Sequence, residues 1–283
     1  MKKIVGTAMA GAVLAVLAQA QTEWENPVKK TLREGKPVVG MTVSIPSPDA
    51  ALQAARLGFD FLWIEMEHSA ITLESARNII LATHGTGTVP FIRVPVNELW
   101  TAKRALDIGA LGVIFPFVST PELAQRAVAA CKYPPLGRRG SGPGLATLRW
   151  PAPGGYSDFA DKNAMVIIII EQKEAVERIE EIVAVPGIDV VFIGPNDLSY
   201  SYGFRGRQEP VVMEAQAKVL AAAQRRNITV GRLAGGAELA GYIKQGYQFF
   251  QTSTELNFMA AGARPLLQSL GKTGFDPKTR PLY

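Results

Sequence analysis

Two carboxylates follow buried strands in the middle of the chain. Residues 165–199 contain two apolar runs, MVIIII and VVFIGPN, of which the first ends on Glu171 and the second on Asp197. The residues between them are apolar at helical spacing, which predicts a strand–helix–strand unit with parallel strands. Because parallel strands end on one edge, both acids are expected there, where they suit Mg²⁺, Mn²⁺ or Co²⁺. The alternative is that Glu171 caps a helix and Asp197 lies in a turn.

Two other apolar runs also end in polar side chains. One ends with Glu65, Glu67 and His68, and the next ends near Arg93. Since imidazole titrates near neutral pH, His68 is a candidate general base or acid. Arg93 can donate several N–H groups to a carboxylate or an enolate oxygen. The structural alternatives are an ordinary polar residue at His68 and a buried arginine paired with Glu65 or Glu67.

Strands and helices alternate along the chain. Strands are predicted at 37–45, 59–68, 89–94, 112–117, 165–170, 189–195, 228–233 and 248–253, with a helix after each. Eight such units in about 250 residues are typical of a (β/α)8 TIM barrel. A doubly wound open sheet is the alternative, but no glycine-rich dinucleotide fingerprint opens any unit. Residues 134–163 are rich in Gly, Pro and Arg and predict a long loop without regular structure.

The N-terminus resembles an export signal. MKK, a fifteen-residue apolar run and Ala18-Gln19-Ala20 predict a cleavable signal peptide at 1–20 and a periplasmic location. The run is short for a membrane span, so no stable membrane insertion is expected, although an uncleaved anchor is the alternative. The remaining chain divides into a lead-in (21–34), a barrel (35–270) and a tail (271–283).

Charge and cysteine content exclude several classes of protein. The formal charge is +5, but the basic residues are scattered and form no nucleic-acid motif, so no nucleic-acid partner is expected. Cys131 is the single cysteine, which excludes an internal disulfide and a cysteine-based metal cluster.

The motifs together resemble the metal-dependent (class II) pyruvate aldolases of the HpcH/HpaI family. The matching segments are GFDFLWIEMEHS, VPFIRVP, RALDIGALGVIFPFV, KYPPLGRRGSG, IIEQKEAVERI and GIDVVFIGPNDLSYSYGF, in family order over residues 35–270. The family includes 4-hydroxy-2-oxoheptanedioate aldolase and 2-dehydro-3-deoxyglucarate aldolase.

The resemblance implies a TIM barrel that cleaves a 4-hydroxy-2-oxo acid to pyruvate and an aldehyde. Glu171 and Asp197 would bind a divalent metal, and Arg93 would hold the pyruvate moiety. His68 would be catalytic, oriented by Asp107. The resemblance also implies an exchanged last helix and a homo-oligomer, either a trimer or a hexamer. The substrate-binding residues would be Arg93, Gly194, Pro195, Asn196, Arg139 and Gly140, the last two near the substrate of the same subunit or of a neighbouring one.

The chain departs from the family pattern at three places. The family usually has Asp-Gly-Glu-His where this chain has EMEH, many members have Gln at the position of Ile169, and Ala is frequent at the position of Asn196. The alternatives are a related oxo-acid decarboxylase or thioester lyase, and an exported barrel that binds acids or metal without turnover.

Overall fold

The computed structural model describes residues 24–150, 152, 154–272 and 274. The signal peptide predicted at 1–20 lies outside the described residues, as does nearly all of the tail.

Eight parallel strands close into a barrel in sequence order, and the last strand pairs with the first. The strands are β1 (Val38–Val43), β2 (Phe61–Glu65), β3 (Val89–Arg93), β4 (Gly112–Phe115), β5 (Met165–Ile170), β6 (Val190–Ile193), β7 (Thr229–Leu233) and β8 (Phe249–Thr254). The predicted TIM barrel is confirmed.

Aromatic rings fill the interior of the barrel. Phe61 and Phe249 stack with their centroids 4.3 Å apart, and Phe91 lies 5.3 Å from Phe61. Gly40 on β1 makes room for them, since a Cβ there would lie 2.1 Å from the Phe61 ring. Alternate residues of a strand point to opposite faces, so the interior position that follows Phe61 and Trp63 on β2 is Glu65, at the carboxyl-terminal rim. The barrel is therefore a packed apolar core, and β2 carries its interior carboxylate at the carboxyl-terminal rim.

Helices connect the strands and cover the outside. They are α1 (Pro27–Arg33), α2 (Pro48–Leu57), α3 (Leu73–Ala82), α4 (Leu99–Asp107), α5 (Pro121–Cys131), α6 (Tyr156–Asn163), α7 (Lys173–Glu177), α8 (Ile179–Ile182), α9 (Pro195–Ser201), α10 (Pro210–Arg225), α11 (Glu238–Gln245) and α12 (Glu255–Ser269). Ser47 and Thr120 cap α2 and α5 by accepting backbone N–H bonds, as their residue types predict. None of the described helices is long and apolar enough to cross a membrane.

Several predictions of local structure were wrong. The strands predicted at 59–68 and 112–117 end early, at Glu65 and Phe115. The insertion at 134–163 contains a 3₁₀ turn at Ala146–Leu148 and the helix α6, whose Tyr156, Phe159 and Ala160 are buried. The strand predicted at 189–195 ends at Ile193, and Pro195 starts α9. Proline favours the first position of a helix because its fixed φ suits the helix and its missing N–H would have no partner there.

Helix α12 packs little against its own barrel. None of its residues is buried, and it exposes Leu256, Phe258, Met259, Leu266 and Leu267. Next to it is a mainly apolar cavity of about 570 Å³ lined by residues of β1, α2 and α12.

Candidate active site

Glu65 organises one side of the carboxyl-terminal rim. Its carboxylate is buried and accepts hydrogen bonds from the indole of Trp63 (3.1 Å), the backbone N–H groups of Glu67 (2.7 Å) and His68 (3.0 Å), and Nε of Arg93 (2.6 Å). β2 and β3 pair in a register that sets Glu65 beside Arg93. One buried acid thus fixes both the loop that carries His68 and the guanidinium of Arg93.

Glu67 joins Arg93 to His68. Its Oε2 lies 3.0 Å from Nη1 of Arg93 and 3.5 Å from Nε2 of His68. Burial raises the pKa of the Glu67 carboxyl, while the positive charges of Arg93 and His68 oppose the rise. The His68 side chain is 63% exposed, so its imidazole is free to meet a small molecule on the rim.

Glu171 is the buried acid on the opposite side of the rim. It follows β5 directly, and its Oε1 accepts a 2.7 Å hydrogen bond from the backbone N–H of Phe117. Burial raises its pKa to about 7, the Phe117 hydrogen bond opposes this, and the charges of Asp197 and Glu67 raise it further. Glu171 is therefore an acid in a position where a nearby cation would stabilise its charged form.

Asp197 stands in the first turn of α9 and is exposed. β6 pairs with β5, which sets α9 beside Glu171. Gly194 makes this close approach feasible, because a Cβ there would lie 2.9 Å from Cβ and 3.0 Å from Oε2 of Glu171. Pro195 and Asn196 complete the turn that follows Gly194. The structure brings Glu171, Asp197, Arg93 and His68 to one rim, as predicted from strand ends.

Asp107 and Arg139 lie at the other end of the barrel. Asp107 ends α4, whose chain then enters β4 from its amino-terminal end. A five-residue strand such as β2 spans about 16 Å at about 3.3 Å per residue, so a barrel height separates Asp107 from His68 of the same chain. Within one chain, Asp107 therefore does not orient His68.

Arg139 holds Asp107. Its Nη2 donates to Oδ1 of Asp107 at 2.8 Å, and its guanidinium packs over the rings of Tyr133 (4.7 Å) and Tyr156 (5.5 Å). The Arg139 side chain is fully buried, whereas the neighbouring Gly140 is exposed. Of the two residues predicted to lie near the substrate, the structure leaves only Gly140 accessible.

Comparisons with known proteins assign the chain to a protein family. A sequence profile described as HpcH/HpaI aldolase/citrate lyase matches residues 39–261. The chain belongs to this family. It is similar to 2-dehydro-3,6-dideoxy-6-sulfogluconate aldolase of Pseudomonas putida, with 36% identity over 75% of this chain and 84% of that protein. It is also 36% identical to hydroxypyruvate/pyruvate aldolase of Roseobacter denitrificans over 84% of this chain and 88% of that protein. A solved HpcH/HpaI aldolase/citrate lyase family protein from Burkholderia cenocepacia J2315 superposes with a TM-score of 0.80 at 32% identity, covering 87% of this chain and all of that one.

Family membership confirms the predicted enzyme class, a carbon–carbon lyase of the aldolase type. The rim of this HpcH/HpaI member also fits a divalent cation, because its donors are carboxylate oxygens and the glycine at 194 keeps the space beside Glu171 open. Among the described residues, no group of three or more His, Cys, Asp or Glu side chains could hold a metal ion. A cation at Glu171 and Asp197 would therefore take its other ligands from water or substrate.

Two residues of the site were not foreseen from the sequence. Trp63 supports Glu65 and lies under Arg93, with the guanidinium carbon 5.7 Å from the ring centroid. Phe117 supports Glu171 through its backbone. The Trp63 contact could have been anticipated from the inward alternation along β2, whereas a backbone donor leaves no signal in residue type.

Proposed function

We propose that this chain is a divalent-metal-dependent aldolase that cleaves a 4-hydroxy-2-oxo acid to pyruvate and an aldehyde. The observation that carries the proposal is the buried Glu171 beside Asp197, on the same rim as an arginine held by two acids. The names of the aldolase relatives support the same reaction class.

The residues of the rim have distinct tasks in this reaction. Glu171 and Asp197 would hold the cation, Mg²⁺, Mn²⁺ or Co²⁺, which when bound supplies positive charge to the pyruvate oxygens. Cleavage of the C3–C4 bond leaves negative charge on the pyruvate fragment, and Arg93 is fixed where its remaining N–H groups can stabilise that charge. His68 takes the proton of the C4 hydroxyl as the aldehyde leaves, with Glu67 beside it to stabilise the imidazolium.

The active form is proposed to be a homo-oligomer. Asp107 can act on a His68 only across a subunit boundary, because a barrel height separates the two residues within one chain. The unburied α12, with its exposed leucines and Phe258, is proposed to exchange between subunits and cover a neighbour. A trimer and a hexamer both satisfy this requirement, and light scattering of the purified protein distinguishes them.

A retro-aldol screen of the chain from Gln21 tests the function. Pyruvate release from a panel of 4-hydroxy-2-oxo acids is followed with lactate dehydrogenase, with and without Mg²⁺, Mn²⁺, Co²⁺ and EDTA. We expect EDTA, His68→Ala and Asp197→Ala each to abolish release. Glu214→Ala, which removes an exposed acid of α10, should leave it unchanged. Activity that survives EDTA would overturn the proposal.

A further inference from the structure

Phe117 adopts a backbone conformation that is unusual for its residue type. Its φ is +53°, in the left-handed region, where phenylalanine is disfavoured because of its Cβ and glycine is not. The other described non-glycine residues with positive φ are Arg205 and Asn227, of which asparagine tolerates this region well. A bulky residue kept in this conformation indicates a local requirement of the fold or the site.

The left-handed turn directs the Phe117 N–H at Glu171. β4 ends at Phe115, and two residues later the Phe117 N–H donates to Oε1 of Glu171 at 2.7 Å. The chain returns at once to the barrel, since Val118 donates to the carbonyl of Ile169 at 3.3 Å. Glycine would supply the same N–H without strain, so the backbone contact alone does not explain a phenylalanine here.

The ring of Phe117 explains the residue type. Phe117 as a whole is 45% exposed, two residues after β4 ends at the carboxyl-terminal rim, while its neighbours Pro116 and Val118 are buried. The side chains already assigned to the rim are the charged or titratable Glu65, Glu67, His68, Arg93, Glu171 and Asp197, none of which offers an apolar surface to a substrate. The main chain of Phe117 contacts Glu171, so Phe117 is a direct neighbour of the acid proposed to hold the cation, and its side chain is exposed there.

We propose that Phe117 is a specificity-determining residue: its N–H positions Glu171, and its ring forms an apolar wall of the subsite for the aldehyde half of the substrate. This inference rests on the proposed aldolase function. The aldehydes it favours carry an alkyl or aryl substituent that can lie against the ring, in preference to small polar aldehydes.

Phe117→Gly separates the contribution of the backbone N–H from that of the ring. Glycine keeps the N–H and adopts the left-handed conformation readily, so Glu171 should remain in place while the wall is lost. Phe117→Ala removes the ring but keeps a Cβ, and Phe117→Leu retains apolar bulk. Urea unfolding of each variant verifies that the barrel is intact, and Phe117→Ala stands in if the glycine variant does not fold.

The assay runs in the aldol direction with pyruvate and two aldehydes, pentanal and glycolaldehyde. For Phe117→Gly we expect kcat/KM for pentanal to fall about 10-fold, mainly through KM, because an apolar contact of this kind is worth about a factor of ten. The ratio of kcat/KM for pentanal to kcat/KM for glycolaldehyde should therefore fall several-fold, and Phe117→Leu should keep most of the pentanal activity. Equal loss for both aldehydes, or no loss for either, would overturn the inference.

Exchange of the pyruvate methyl protons with solvent deuterium, followed by NMR, distinguishes failure of the inference from failure of the function. This exchange requires the enolate chemistry of the rim and no aldehyde. If the wild-type protein shows neither exchange nor aldol reaction, the proposed function fails. If it shows both, and the Phe117 variants keep the wild-type ratio between aldehydes, the function stands and the role of the ring is excluded.

Discussion

Replacing Glu65 by glutamine removes the acceptor that holds His68 and Arg93 together. Its Oε1 accepts hydrogen bonds from the backbone N–H groups of Glu67 and His68. Its Oε2 accepts from the Trp63 indole and from Nε of Arg93. An amide can accept only through its oxygen, so its NH2 group must face one pair of donors. Arg93, whose side chain is 14% exposed, also loses one of its two charged partners among the described residues and keeps Glu67.

The expected cost follows from these lost partners. Breaking a buried ion pair by changing one partner costs about 3–5 kcal/mol. With a urea m-value of roughly 3 kcal/mol per M, the unfolding midpoint should fall by about 1 to 1.7 M. We expect kcat/KM to fall by about 100-fold as well, because both His68 and Arg93 lose their alignment.

A surface pair provides the matched control. Glu34 contacts Lys36 at 2.8 Å, and its side chain is 40% exposed. Glu34→Gln should leave both the unfolding midpoint and kcat/KM nearly unchanged, because an exposed ion pair contributes little to stability. If Glu65→Gln moved the midpoint no more than Glu34→Gln does, the reasoning that Glu65 organises this side of the rim would be refuted.

Three further predictions address the proposed metal site, Asp107 and the Cys131 thiol. Gly194→Ala should weaken Mn²⁺ binding in calorimetry by about 10- to 100-fold, since the new Cβ displaces Glu171; an unchanged affinity would contradict the proposed ligands. Gly142→Ala sets a Cβ 2.9 Å from Oδ2 of Asp107 and should lower kcat by up to about 100-fold; wild-type kcat would show that the placement of Asp107 is immaterial. Cys131 is fully buried and its pKa is raised by burial to about 12, so a thiol reagent at pH 8 should react only after denaturation. Rapid reaction of the folded protein would disprove that burial.

The sequence predicts most of the barrel because its signals are local. The run MVIIII is apolar at every position, as a strand covered on both faces requires, and β5 has the predicted bounds 165–170. The rim acids follow from the same reasoning, since a charge after such a run must emerge at the strand end. The prediction was wrong at 189–195, where proline at the first turn of α9 is a helix signal that the preceding apolar run obscured.

Contacts that depend on tertiary structure could not be predicted in this way. Nothing in the residue type of Phe117 shows that its N–H meets an acid 54 residues away. The position of Asp107 could have been predicted, because the helices of a barrel run antiparallel to its strands. A residue at the end of a helix must therefore lie at the opposite end of the barrel from the rim. Arg139 belongs to a loop whose composition indicates function but does not distinguish a buried positioning role from contact with substrate.

Arg93 divides the acids of the rim into two groups. Glu65 and Glu67 both contact its guanidinium, so each already has a positive partner. Burial and the charges of Asp197 and Glu67 raise the pKa of Glu171, whereas one backbone N–H hydrogen bond and the weaker effect of the Arg93 charge lower it. A buried carboxylate without a cation is costly in a protein interior. This asymmetry is the reason for proposing the cation at Glu171 and Asp197 rather than beside Glu65 and Glu67.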